Sequence, residues 1–431
     1  MKMPTLVQAE RKPFPRCCPQ ILLASSLSFS HSLLVLRKVI IIFLSVLAAA
    51  ADWPQFHGPR RDNISTETGL LKQWPEGGPK LLWQADGLGE GWATVAIKDG
   101  RLYTAGEIGS NTVITALDLA GKRLWQINNG PASRCPYPGG RATPTIDGDR
   151  LYHLNCGGDI LCADARTGKS LWTLNIGARI PRWGLAESLL VDGNNLICTP
   201  GSETAMMVAL DKRNGKTVWT TPATGDKPAY TAPILVQRQI VTMTSDSAIG
   251  VDADSGKLLW RYEQKVPYEA NISHPIYHEG HVVISSTWGV GTTLLKLTKA
   301  GVEKVWHTTE FDNEHGGFVL VDGYLYGLAD GNHKHRHWAC LDWKTGKTMW
   351  AGDSIPGLRS ATTSYADGML YLMTEKGVVM LAHANPQKLD IVSQFELPKQ
   401  GKGPYWAHLV ICGGRLHVRH GQFLYVYDIR K

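Results

Sequence analysis

The chain has 431 residues, 19% of them charged, with 45 glycines and a formal net charge of +7. Residues 1–51 hold Lys2, Arg11, Lys12, Arg16, Arg37 and Lys38 against Glu10 alone, and the remaining 39 basic and 37 acidic residues nearly cancel. A near-neutral body gives no electrostatic case for nucleic acid or an anionic membrane as partner, and low charge with abundant glycine suits short strands and tight turns better than long surface helices.

In chain order, the first element is a targeting segment. Arg37-Lys38, the apolar run 39–47 and then Ala48-Ala49-Ala50-Ala51 supply the basic flank, hydrophobic stretch and small-residue cleavage site of a secretory signal. The run is shorter than the roughly 20 apolar residues needed to cross a bilayer. The mature chain is therefore expected in the periplasm or secreted, and not as an integral membrane protein. Residues 1–36, with Cys17-Cys18, have no structural logic: either translation begins near Leu36 or the leader is unusually long. An uncleaved anchor spanning 21–51 is disfavoured by Arg37 and Lys38, which interrupt it. The reading is leader and signal over 1–51, an N-terminal extension over 52–79, and one repeat body over 80–431.

Within that body Trp83, Trp125, Trp172, Trp219, Trp260, Trp306 and Trp350 recur at spacings of 42, 47, 47, 41, 46 and 44 residues. A period in that range with strand-like composition indicates a β-propeller. Most of the tryptophans close a phrase such as Ala163-Asp-Ala-Arg-Thr-Gly-Lys-Ser-Leu-Trp172 or Val251-Asp-Ala-Asp-Ser-Gly-Lys-Leu-Leu-Trp260; the copy ending at Trp306 has lost the Asp and Lys. The glycine of the phrase suits a left-handed hairpin position. Each ring is expected to lie over the neighbouring blade's turn, burying on the order of 150–250 Å². Turns at Asp99, Asp147, Asp192, Gln237, Glu279, Asp322, Asp367 and Gly413 count eight blades. The last supplies only three strands, and Lys80-Leu-Leu-Trp83 has the form of a fourth strand with no blade before it. The prediction is an all-β, eight-bladed propeller closed by the N-terminal strand completing the last blade, which also removes free sheet edges.

These phrases resemble the docking repeat of the pyrroloquinoline-quinone-type (PQQ-like) propeller superfamily over about residues 80–430. Trp53-Pro-Gln-Phe-His-Gly-Pro-Arg-Arg-Asp-Asn-Ile-Ser resembles the N-terminal phrase of exported, planctomycete-type members. The resemblance implies kinship with two branches: quinoprotein alcohol dehydrogenases, which use pyrroloquinoline quinone with calcium, and the scaffold lipoprotein of the outer-membrane assembly machinery. The sequence departs from both. Its only adjacent cysteine pair is Cys17-Cys18 in the leader, no haem Cys-x-x-Cys-His occurs, and the residue after Ala51 is Asp52 rather than a lipid-anchor cysteine.

Propeller ligands sit at the central channel, lined by the innermost strands. Aligning the units on their turns places Thr94, Thr143, Glu187, Ala232, His274, Gly317, Thr362 and His408 in register. Two residues earlier stand Trp92, Arg141, Leu185, Tyr230, Ile272, His315, Ser360 and Trp406. With a period of two, alternate members face the channel. Glu187, His274, His315 and His408, with Trp92, Arg141, Tyr230 and Trp406, are the candidate ligand-binding set; a carboxylate with imidazoles has metal or acid–base chemistry. The plainer expectation is that polar residues line a water-filled channel. His333, His335 and His337, at alternate positions, form a weak metal candidate in what reads as a solvated hairpin tip. The six body cysteines, Cys135, Cys156, Cys162, Cys198, Cys340 and Cys412, show no disulfide or zinc spacing, and Cys156 is expected opposite Asp159 in its hairpin. No hydrolase, P-loop or dinucleotide motif occurs. The leading function is a monomeric, non-catalytic exported propeller binding a protein or polysaccharide partner in the cell envelope. The alternative is a reduced quinoprotein dehydrogenase in which Arg141 and Trp406 contact the quinone.

Overall fold

Runs of Val, Ile, Leu, Thr and Tyr bounded by two-residue turns form four-stranded antiparallel sheets in the computed structural model, which describes residues 52–330, 335–355 and 357–431. The signal reading and Cys17-Cys18 lie outside the described residues. Blades 1 to 7 each use four consecutive strands, within 96–131, 145–175, 190–222, 234–263, 276–308, 318–351 and 361–396. Blade 8 takes Val410–Cys412, Arg415–His420 and Phe423–Asp428, and its outer strand is Lys80–Ala85, with Trp83 opposite Val426. The ring closes as the repeat count requires. Among the described residues, no helix is long and apolar enough to cross a membrane.

Docking follows the repeat phrase. The indole N–H of Trp83, Trp125, Trp172, Trp306 and Trp350 donates to a backbone carbonyl in the next blade's outer turn, at 2.8–3.2 Å. Trp219 does the same with Ala253 at 3.2 Å. Trp260 departs. The next turn is the degenerate copy, and its N–H bonds Gln239 Oε1 of its own blade at 2.8 Å. Blade 7 has no such tryptophan; Phe395 fills the role, edge-on to both Trp74 and Tyr427 at 5.2 Å.

Residues 52–79 are not a loose appendage. Trp53 pairs with Ile97 on the inner strand of blade 1, exchanging backbone bonds of 2.8 and 2.7 Å. The chain then coils through positive φ at His57, Gly58, Arg61 and Asn63, a conformation disfavoured for residues with a Cβ. Polar contacts hold the coil. Arg61 donates to the carbonyls of Ser188, Pro233 and Leu189 in blades 3 and 4, and Asn63 donates to Thr363 O and Ser364 Oγ in blade 7. Ile64–Ser65 adds a fifth, parallel strand to blade 7 against Tyr365–Ala366. The chain leaves beside blade 8, where Leu70 pairs with Arg430, and enters the closing strand.

Candidate functional site

Segment 53–65 blocks the channel near the turn between first and second strands, since Trp53 pairs next to that turn in blade 1. At the other end a cavity of about 580 Å³ remains open. Its walls include Trp92, Arg141, Ala186, Ser188, Tyr230, Ile272, His274, His315, Trp406 and His408, with Phe56 of the plug at its base. Seven of the eight residues expected at the channel mouth thus share one cavity.

Glu187 does not join them. The alignment on Asp-Gly is one residue out in blade 3. In blades 1, 5, 6 and 7 the Asp-Gly or Glu-Gly pair forms both turn corners, each with positive φ. In blade 3, Asp192 still pairs with Asn195, so the corners are Gly193-Asn194. The true register runs Thr94, Thr143, Ser188: Thr143 Oγ1 accepts from the Thr94 N–H at 3.1 Å, and Ser188 Oγ accepts from the Thr143 N–H at 2.9 Å. A one-residue slip reverses the side chain's face. Glu187 is therefore buried at 3% exposure, and burial pushes its carboxyl up to about 8 against the lowering effects of Thr199 and Arg61.

At the base of the cavity lie three imidazoles. His57 and His408 share a 2.8 Å hydrogen bond between Nε2 and Nδ1, and His408 Nε2 donates to His315 O at 3.0 Å. His274 Nδ1 accepts the Ala232 N–H at 2.8 Å. Phe56 stacks on His57 at 3.8 Å. Burial lowers all three, His408 to about 4, His274 to about 3 and His57 well below its ordinary value, with repulsion from His408 adding to it at His57 and His274. They are neutral near pH 7, held by one another and the backbone. Below the cavity the channel is filled by the chain's own residues 53–65.

Aromatic pairs surround the opening: Trp92 with Trp406 at 5.3 Å, Trp183 with Tyr230 at 5.6 Å, and Tyr268 with Trp288 at 5.6 Å. His315 stacks on Trp406 at 4.4 Å. Arg141 lies over Trp92, and its guanidinium donates to Gly139 O, Pro136 O and Tyr137 O. Arg336 is paired with Asp330 and, at 3.6 Å, with Glu314. Trp183, Tyr137, Trp288, Glu314 and Arg336 were not in the sequence-derived set. A signal existed. Eight of the fifteen tryptophans stand outside the docking register; Trp53, Trp74, Trp338 and Trp343 are buried, and Trp92, Trp183, Trp288 and Trp406 line the cavity.

A quinone with calcium fits this donor set poorly. The indole faces suit a planar ring, but Arg141 already serves three carbonyls, Glu187 faces away, and among the described residues no three His, Cys, Asp or Glu side chains converge as a metal site. His333 of the second candidate cluster lies outside the described residues. His335 is exposed, and His337 begins the strand His337–Asp342.

A family model described as outer membrane protein assembly factor BamB matches residues 109–352. The chain belongs to that family. It is 23% identical over 262 residues to outer membrane protein assembly factor BamB of Moranella endobia, covering 56% of this chain and 64% of that protein. It is 26% identical over 216 residues to quinohemoprotein alcohol dehydrogenase ADH IIB of Pseudomonas putida, covering 45% of this chain and 29% of that enzyme. The chain thus spans less than two thirds of either relative. BamB from Moraxella catarrhalis superposes with a TM-score of 0.61 at 14% identity, covering 81% of this chain and 99% of that one. A europium-containing methanol dehydrogenase does so at 0.66 and 13%, covering 86% and 90%. Both show the shared propeller fold alone, which an assembly factor and a dehydrogenase have in common.

Proposed function

We propose that the protein is a non-catalytic propeller of the cell envelope that binds a protein or polymer partner at the open mouth of its channel. One observation carries this reading: the channel is stoppered by residues 53–65, leaving a one-ended, aromatic-walled cavity at whose base His57, His274 and His408 are neutral and already hydrogen-bonded. Trp, Tyr and Arg around a preformed concavity are the residue types that anchor protein interfaces. The family's description as an assembly factor supports a binding role, and the secretory-type signal in the sequence supports a location outside the cytoplasm. The test titrates purified protein with pyrroloquinoline quinone, with and without calcium, following tryptophan fluorescence and dye-linked alcohol oxidation. The reading expects no turnover, and expects a photo-crosslinker at Tyr268 to trap a protein in envelope extract only when Trp183 and Trp406 are intact. Stoichiometric quinone binding with alcohol oxidation overturns it in favour of the dehydrogenase. Fluorescence change with oligosaccharides and no protein capture makes the partner a polysaccharide.

A further inference from the structure

Cys135 lies half-buried in the connection between blades 1 and 2, and Cys156 lies buried in the tight turn of the second hairpin of blade 2, not opposite Asp159. The two sulfurs converge over Gly184: a Cβ on that glycine would stand 3.3 Å from Cys135 Sγ and 3.6 Å from Cys156 Sγ. The approach is held by contacts that involve no sulfur–sulfur chemistry. Arg141 gathers the carbonyls of Pro136, Tyr137 and Gly139 around its guanidinium and also reaches Cys156 Sγ at 3.4 Å. Cys156 Sγ donates in turn to Gly139 O at 3.7 Å. The loop that begins at Cys135 is thereby wound against Cys156. By contrast, Cys162, Cys198 and Cys340 sit within strands.

We propose that Cys135 and Cys156 are a modification site, a thiol pair that closes to a disulfide and fixes the Tyr137 wall of the cavity. Tyr137 is 51% exposed and its ring stands 5.7 Å from that of Trp406, so the loop's position shapes the mouth directly. The chemistry is exchange with a disulfide donor such as glutathione disulfide. The more accessible Cys135, as thiolate, attacks one glutathione sulfur and releases one glutathione thiol. Cys156, losing its proton, then attacks Cys135 Sγ and releases the second. The protein pair is oxidised by two electrons, one donor disulfide is reduced, and the two protein protons end on the two glutathiones. In the cell the bond depends on the envelope location proposed above, since a reducing compartment would keep it open; in vitro it depends on geometry alone.

The test equilibrates the purified chain with glutathione disulfide, or with dithiothreitol, then alkylates it under denaturing conditions and maps tryptic peptides. The oxidised sample is expected to lose two alkylatable thiols and yield one cross-linked peptide pair. Fragmentation must assign the link to Cys156, because Cys162 shares its tryptic peptide. The oxidised chain should also melt higher than the reduced one, and Cys135→Ser should abolish that increase while melting like the reduced parent. Equal alkylation in both samples overturns the proposal, as does a stable glutathione adduct on Cys135 or a link to Cys162. None of these outcomes depends on a partner, so failure here leaves the binding reading standing.

Discussion

Glu187 is the side chain on which register acts most sharply. Had Asp192-Gly193 formed both corners of its turn, the carboxylate would face the cavity; because Gly193-Asn194 do, it is sealed beside Thr199 and Arg61. Its folded value of about 8 stands above the ordinary 4.5. The folded chain therefore keeps a proton that the unfolded chain has lost between those values. Stability from this group is full below about pH 4.5, falls as pH rises toward 8, and is flat above. Glu187→Gln retains the shape without the titration. It should melt like the parent at pH 4.5 and be more stable at pH 8.5 by up to roughly 4–5 kcal/mol, read as the difference in denaturant midpoints at the two pH values. A variant less stable at pH 8.5 than the parent would mean that the ionised carboxylate, paired with Arg61, is the folded form.

At the scale of the element, the repeat phrase specifies a joint between blades. The outer strand of every blade carries a register shift, in most of them just before its tryptophan. Such bulges increase twist and make an exposed edge a poor template for a further strand. The ring then lies over the next turn's glycine. A Cβ on Gly256 (φ 74°) would meet Trp219 Cε3 at 2.4 Å, whereas one on Gly193 (φ 56°) meets nothing within 4 Å. Gly193→Ala should cost about 1 kcal/mol for backbone conformation alone, and Gly256→Ala about 2–4 kcal/mol because the indole must also move. Urea unfolding of the two variants measures the difference; equal costs would mean the joint is loose. This joint was legible from the sequence because tryptophan, glycine and turn length are local. Even the lapse at Trp260 follows from the lost Asp and Lys upstream of Trp306. Register between blades was harder, since a glycine can occupy either corner of a two-residue turn and only strand pairing distinguishes the two hairpins.

For the whole molecule, the sequence foretold circumferential closure but not the radial plug, because residues 53–65 have neither strand alternation nor a repeat partner. Their contacts join blades 1, 2, 3, 4, 7 and 8 at sequence separations beyond the reach of any local pattern. Tryptophans outside the docking period were a better guide to the open mouth than the polar alignment, since a large ring away from a joint must be in the core or at a surface that uses it. The two closures make separable demands. A chain beginning at residue 67 keeps Lys80–Ala85 against Phe423–Asp428 and keeps Trp74 against Phe395, but loses the Arg61 and Asn63 bridges and the Phe56 base. It should remain a folded β-protein by circular dichroism, unfold cooperatively at a lower temperature, and bind its partner more weakly because the cavity opens into the channel. A chain beginning at residue 87 also loses the strand that covers Phe423–Asp428, exposing a paired-strand edge and the Tyr427 seam; it should aggregate or unfold without a sharp transition. Size-exclusion chromatography and thermal melts of the two truncations decide the matter. If both lose cooperativity alike, the plug is as necessary to the ring as the closing strand; if the shorter deletion binds unchanged, Phe56 is not part of the recognition surface.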